Sequence, residues 1–264
     1  IMDILSLRSG SSGNASLVSG GNTKLLVDCG VSGKSVTSAL ADVDVYPEDI
    51  SAIAVTHEHI DHIAGIGVMM RRYHIPVWAN AATWTAMESQ VGKIDKSLVN
   101  IFDNYSSFEI GEIGVKPFSI PHDAADPVGY SFMCGDEKVA VATDIGELKK
   151  DLFEAIRGSK TVLLESNHDV NMLQVGKYPY YLKRRILGDK GHLSNETAGQ
   201  LLCRLLHDNM KQILLGHLSR EINYEALAYE TVCAEVTMGD NPYKAKDFRI
   251  DVAHRDTASE VVEV

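Results

Sequence analysis

No run in the 264 residues approaches the roughly 18 consecutive apolar positions that a membrane span needs. The start also lacks the charged region, apolar run and cleavage site of an export signal, so the expectation is a soluble, unexported protein with no membrane partner. Cysteine is scarce. Cys29, Cys134, Cys203 and Cys233 lie far apart with no CxxC pair, which excludes a disulfide framework and fits reduced, half-buried thiols in the cytoplasm. Positive charge is short as well: 25 Lys and Arg against 36 Asp and Glu leave a formal net charge of −11, whereas polyanions are usually held by basic surfaces. Bound divalent cations would reverse that sign locally, and a summed charge does not describe patches, so the deficit weighs against nucleic acid only in the sum. Internal repeats and low-complexity tracts are absent too.

What the chain does have is 45% hydrophobic side chains, enough at this length for a single α/β domain over residues 1–264. Ile4 to Leu7, Ala15 to Ser19 and Lys24 to Asp28, separated by the turn-rich Ser9 to Asn14 and Gly20-Gly21-Asn22, predict a strand, a loop and a hairpin. Helical spacing marks Gly33 to Ala41, His62 to Tyr73, Ala81 to Gln90 with Asn80 as cap, Glu147 to Arg157, and a helix from the cap Ser194 through Leu206. Buried-type strands are predicted at Ala52 to Val55, Val77 to Ala79, Gly114 to Ile120, Tyr130 to Met133, Val139 to Ala142, Thr161 to Leu164 and Gln212 to Leu215, with one more helix and strand at the end. Strands in two blocks with helices interspersed fit two sheets packed face to face with helices outside.

Chemistry concentrates in His57-Glu58-His59-Ile60-Asp61-His62, directly after the strand at Ala52 to Val55. Residues i and i+2 of an extended segment point the same way, so His57 and His59 can grip one cation while Asp61 and His62, past the bend, face another. The plain alternative is a group of surface histidines in a loop. A metal cage on such a scaffold needs further ligands from loops at the same edge. His122, Asp144 and His217 each follow a predicted strand; each alone reads more often as a cap or a solvated residue, but their shared position at strand ends points to ligands. A carboxylate such as Asp144 is a natural bridge between two cations, and histidine nitrogen with carboxylate oxygen and no thiolate suits zinc, manganese or iron.

HxHxDH followed by a distant His, Asp and His after strands resembles the metallo-β-lactamase superfamily across essentially the whole chain. The resemblance implies an αββα four-layer sandwich, two mixed β-sheets flanked by helices. It also implies two divalent metal ions, zinc, manganese or iron. One would be bound by His57, His59 and His122, the other by Asp61, His62 and His217, with Asp144 bridging. Asp28, in Leu25 to Gly30, would support the metal shell, or is a turn residue.

Gly191-His192-Leu193-Ser194, Leu163 to Asp169 and Gly216 to Arg220 look like the phosphodiesterase branch that includes ribonuclease Z and the PhnP-type enzymes. By that match His192 contacts or protonates the scissile phosphate ester and Glu165 orients it, the alternative being an ordinary helix lead-in. SGSSGN, THEHIDHIAG, PHDA, ESNHD and GHLSN in this order are similar to the YycJ (WalJ) subfamily, which implies 5′ to 3′ exodeoxyribonuclease action on DNA and a role in its repair. Asn167 and His168 of ESNHD then count among the substrate-binding residues. The transfer RNA arm of ribonuclease Z has no visible counterpart. The implied nucleophile is a hydroxide between cations about 3.5 to 4 Å apart, with Asp61 orienting it and His192 protonating the departing oxygen.

Two stretches bear on substrate independently. Lys177 to Arg185, with Lys190 just before His192, gathers Tyr178, Tyr180, Tyr181, Lys183, Arg184 and Arg185 in an acidic protein. Rings stack on bases and cations track phosphates, while a solvated helix face with tyrosines packed beneath explains the same strip. Ser9 to Asn14, including Ser11 and Asn14, could cradle a phosphate through backbone donors or be a flexible turn. The rival functions are hydrolysis of small cyclic or linear nucleotides and, from another class, a metal-binding regulatory protein without turnover.

Overall fold

The apolar runs at the start of the chain pair as neighbours and share one pleat. In a computed structural model describing residues 2–260, β1 (Met2–Arg8), β2 (Ala15–Gly20), β3 (Thr23–Val27), β4 (Ala52–Ala54), β5 (Val77–Asn80) and β6 (Val99–Phe102) form a six-stranded sheet in that order. Residue 1 and residues 261–264 of the expected 1–264 domain lie outside the described residues. β1, β2 and β3 are antiparallel neighbours; β3 to β6 run parallel. The register aligns Leu5, Leu17, Leu26, Ile53 and Val77 in one row, and all five pack under the helices α1 (Gly33–Ala41), α3 (Ile66–Tyr73) and α4 (Ala81–Val91). One position along, Ile4, Val18, Leu25 and Ala52 turn to the other face. Strands covered on both faces are apolar at every position, which explains why these runs do not alternate.

The second sheet has seven strands in the order β13 (Arg249–Val252), β12 (Gln212–Gly216), β11 (Thr161–Glu165), β10 (Glu137–Ala142), β9 (Val128–Cys134), β8 (Ile113–Ser119) and β7 (Phe108–Ile110). The row Ala140, Val162, Ile213 and Ile250 packs beneath α5 (Lys150–Ile156), α8 (Asn195–Leu205) and α9 (Glu225–Met238). Val141, Leu163 and Leu214, on the opposite face, join Ile4, Val18 and Leu25 in the core between the sheets. The result is the expected four-layer αββα order.

Local signals set the helix starts. Asn80 accepts from the Thr83 N–H and Ser194 from the Thr197 N–H, caps worth about 1 kcal/mol each. α8 buries Ala198, Leu201, Leu202 and Leu205, one stripe at helical spacing. The helix expected over His62 to Tyr73 is instead two pieces, α2 (Ile60–Ile63) and α3, broken where the Gly65 N–H turns to the Cys29 carbonyl, 2.7 Å away. The helix expected from Glu147 begins at Lys150. The short helices α6 (Val170–Val175) and α7 (Tyr180–Ile186) follow β11. No helix among the described residues is long and apolar enough to cross a membrane, and Cys29, fully buried where a half-buried thiol was expected, is free like the other three cysteines.

Candidate metal centre

Strand direction decides where the polar residues emerge. β10, β11 and β12 are mutually parallel, and two antiparallel steps through β9 turn β8 the same way, so the chain leaves all four at one edge. The residues delivered there are His122, Asp144, Glu165 to Asp169, and His217. Parallel β3 and β4 deliver Asp28 and the Thr56-His57 segment likewise, which is how open α/β sheets build sites beyond their carboxyl ends. The Tyr130 hydroxyl, donating to the Val55 carbonyl, ties the two edges together. Asp28, Asp144 and His217 take φ values of 61°, 61° and 58°, a region few non-glycine residues adopt. Backbone held there costs on the order of 1–3 kcal/mol per residue and collects at functional sites.

The seven expected ligands converge in two groups. His57 Nε2 lies 3.1 Å from His59 Nδ1, with a His122 nitrogen within 4.8 Å of both. Asp61 Oδ2 lies 3.7 Å from His62 Nε2 and 3.6 Å from His217 Nε2. Asp144 stands between the groups: Oδ2 is 3.4 Å from His62 Nε2, while Oδ1 is 3.6 Å from His122 Nε2 and 3.4 Å from His217 Nε2.

Each buried ring is oriented by its other nitrogen. His62 Nδ1 is 2.8 Å from Asp28 Oδ2, His122 Nδ1 3.2 Å from the Gly191 carbonyl, His217 Nδ1 3.0 Å from Glu165 Oε1 and His57 Nδ1 3.0 Å from Thr56 Oγ1. That leaves four Nε2 atoms for the cluster, the arrangement a metal-binding imidazole needs. Asp28 also accepts from the Thr56 N–H and hydroxyl, both at 2.8 Å. Glu165 is fully buried and does double duty. Its Oε2 accepts from the Ile145 and Leu193 N–H groups, and its Oε1 meets His217 Nδ1 and, at 2.8 Å, His192 Nδ1. His192, its side chain 18% exposed, and Asp61, at 22%, are where the centre opens to solvent.

Charge sorts the histidines. Burial, then the neighbouring rings, holds His57 well below the ordinary imidazole range, and burial lowers His122. Burial pulls His62 down too, but Asp144 and Asp28 outweigh it and lift it to about 9; Asp144, Asp61 and Glu165 raise His217 in the same way. Burial would raise Asp61, Asp144 and Glu165, yet the facing histidines hold all three below the usual carboxylate range. The pocket thus seeks positive charge. Asp144 Oδ2 and His217 Nε2 are buried without a hydrogen-bond partner among the described residues, although such atoms are nearly always satisfied. Divalent cations of the kind that imidazole and carboxylate favour would satisfy both.

Other expected residues are placed differently. Asn14 is buried, its amide spent on Gly10 and on the Asp61 carbonyl and lying 3.3 Å from His62 Nε2, so it pins the glycine-rich turn against the centre rather than facing outward. The fit is close enough that a Cβ on Gly30 would meet the Asp61 carbonyl oxygen at 1.6 Å. Ser11 is exposed on the same turn. Asn167 donates to the His217 carbonyl, and His168 is buried, which lowers it to about 4. On α7, Lys183 donates to the Gln174 carbonyl and Arg185 pairs with Asp123, whose Oδ1 lies 3.5 Å from His122 Nε2. The sequence marked Ser9 only as part of a turn and Thr56 only as the first letter of the histidine motif, and gave no sign that the Ser9 hydroxyl accepts from the His217 N–H at 2.8 Å or that Thr56 ties Asp28 to His57.

The chain is also similar to known proteins in sequence and fold. A family model for a beta-lactamase superfamily domain matches residues 23–217. The chain is 41% identical over 260 residues to the exodeoxyribonuclease WalJ of Streptococcus pneumoniae, covering 98% of this chain and 96% of that one. It is 42% identical over 226 residues to the exodeoxyribonuclease YycJ of Bacillus anthracis, covering 86% of each. Among solved structures, the metallo-β-lactamase fold protein YhfI from Bacillus subtilis superposes with a TM-score of 0.69 at 17% identity, over 98% of this chain and 100% of that one.

Proposed function

The chain belongs to the metallo-β-lactamase superfamily and, within it, to the WalJ/YycJ family, and from that premise we propose that it is a two-metal phosphodiesterase that removes nucleotides from DNA in the 5′ to 3′ direction. The observation that carries the reading is the His192–Glu165 pair. A cluster of metal ligands alone would serve a thioesterase or a lactamase as well. A hydrogen-bonded imidazole beside the cluster, with Nδ1 held and Nε2 free, is what the departing oxygen of a phosphodiester requires.

His57, His59 and His122 would hold one divalent ion, Asp61, His62 and His217 the other, and Asp144 would reach both. Bound there, zinc, manganese or iron supplies neutralisation of the phosphoryl oxygens and acidification of water. The chain's own groups do the rest. Asp61, at the opening, accepts a hydrogen bond from the attacking water and orients it in line with phosphorus. His192 gives its Nε2 proton to the leaving sugar oxygen. Glu165, fixed by two backbone N–H groups, holds His192 in line and stabilises the charge on its protonated ring.

The test is a linear duplex labelled at either 5′ end, given to metal-stripped protein with manganese or zinc restored, alongside His192→Ala. Metal-dependent release of 5′ mononucleotides, reduced about 10² to 10⁴-fold in the variant with metal content unchanged, is expected. Full activity in the variant would remove His192 from the mechanism. No cleavage of DNA, with bis(p-nitrophenyl) phosphate still hydrolysed, would move the substrate to a small phosphodiester.

A further inference from the structure

Helix α7 and the turn after it differ from the rest of the molecule in charge and surface. Residues 177–190 carry five cations against one acid, in a chain of formal net charge −11. Leu173, Ile186 and Ile222, with Met172, Tyr178 and Leu182 against them, form a small satellite core that anchors the underside of the helix. Tyr180 and Tyr181, just above it, are 76% and 73% exposed, so only Tyr178 of the three rings is used for packing. The Arg184 guanidinium lies 6.0 Å from the centre of the Tyr180 ring, on which it can stack, and has no acidic partner among the described residues.

This surface is mechanically part of the centre. The His192 N–H donates to the Ile186 carbonyl and the Gly191 N–H to that of Gly188, while the Gly191 carbonyl faces His122 Nδ1. A Cβ on Gly191 would come 2.0 Å from the Ile186 carbonyl oxygen, so the turn closes directly onto the end of the helix. Arg185 braces the same region by gripping Asp123 beside His122. Whatever binds α7 is therefore held in register with the proton donor His192.

Resting on the nuclease reading above, we propose that α7 is a stacking platform for unpaired bases, and that the substrate reaches the centre as a single strand. Two adjacent exposed rings offer flat apolar faces that any base can cover, and the cations alongside fit the backbone phosphates. Paired bases present no free face, so a closed duplex gains only the charge.

The experiment measures binding of a 3′-labelled, phosphorothioate-linked oligodeoxythymidylate to the metal-loaded protein by fluorescence anisotropy. The Tyr180→Ala, Tyr181→Ala and corresponding Tyr→Phe variants are compared with a duplex closed by hairpins at both ends. Metal content checks that each variant is folded. Each alanine is expected to weaken single-strand binding about tenfold, phenylalanine to restore it, and the closed duplex to change little. Unchanged single-strand affinity in the alanine variants, or an equal loss on the closed duplex, would overturn the platform and leave the nuclease reading standing. Wild-type protein that neither binds nor cuts any polynucleotide would overturn the nuclease reading itself.

Discussion

Glu165 ends β11 and Tyr180 opens α7, yet one is fully buried with both carboxylate oxygens engaged and the other is 76% exposed. The same contrast runs through the whole site. The floor of the centre, from Asp28 across Asp144 to His217, is buried and rich in carboxylates, and its Asp144 Oδ2 and His217 Nε2, unpartnered among the described residues, face the cluster. The α7 rim is basic, apolar in its rings and largely open. A floor of that kind suits fixed ions and fixed geometry, because every buried ring among the candidate ligands is oriented by a second partner. A rim of that kind supplies affinity without geometry, because stacking and phosphate attraction tolerate sequence and small displacements. The difference assigns chemistry to one region and grip to the other.

The comparison breaks most visibly at Asp144. If it reaches both ion sites, Asp144→Ala should abolish at least one bound metal per chain, read by elemental analysis, and lower DNA cleavage roughly thousandfold or more. Normal metal content with normal turnover would detach the floor from the chemistry.

The floor was also the part most legible from sequence, and the reason is geometric. Ligands to neighbouring ions must sit close together, and the motif from His57 to His62 offers two candidates for each of two sites within six consecutive positions. The strand rule then finds His122, Asp144 and His217, since each must leave the sheet at the shared edge. What sequence does not carry is partnership across distance. Glu165 is visible as an acid at a strand end, but one of its two oxygens, Oε1, serves both His192, 27 positions away, and His217, 52 positions away. Asn14 read as part of a phosphate cradle or a flexible turn because nothing local says that Asp61 closes over it. On α7, the strip showed rings and cations, whereas which tyrosine lies beneath was decided by Ile222 and Leu173 from elsewhere. β6 escaped because it is half open and interrupted by Asn100, which blurs the apolar run.

A second, smaller effect separates the loaded floor from the stripped one. Without metal, protonated His62 and His217 stand opposite the carboxylates. The folded value of His62, about 9, lies above the ordinary 6.5, so its stabilisation is fully present below about pH 6.5 and disappears as pH rises through about 9. Asp144, Asp61 and Glu165, all lowered, contribute stability that is present above their ordinary range and is lost towards acid. His57 and His122, both lowered, add stability that is lost as pH falls below about 6.5, so stripped protein should be most stable near pH 6.5 and lose on the order of 1–3 kcal/mol by pH 9 in urea unfolding. Metal-loaded protein, whose imidazoles are already neutral ligands, should show no such alkaline loss. Identical pH profiles for the two forms would mean that the histidines do not substitute for cations.

The smallest effect divides the rim itself. Arg184 has no acidic partner among the described residues, whereas Arg185 is already committed to Asp123. Arg184→Gln should weaken single-strand binding a few-fold and reduce the slope of log affinity against log salt by about 0.7, one phosphate contact on a single strand. Arg185→Gln should leave that slope unchanged and cost no more than about 1 kcal/mol of stability, the range of a partly exposed ion pair. The salt slope decides between the roles, because losing a strut changes affinity equally at all salt concentrations while losing a phosphate contact does not. A lowered slope for Arg185→Gln would mean that Asp123 releases the guanidinium when DNA arrives. The rim would then extend to the candidate metal ligand His122, and the boundary between grip and chemistry would run through that ion pair.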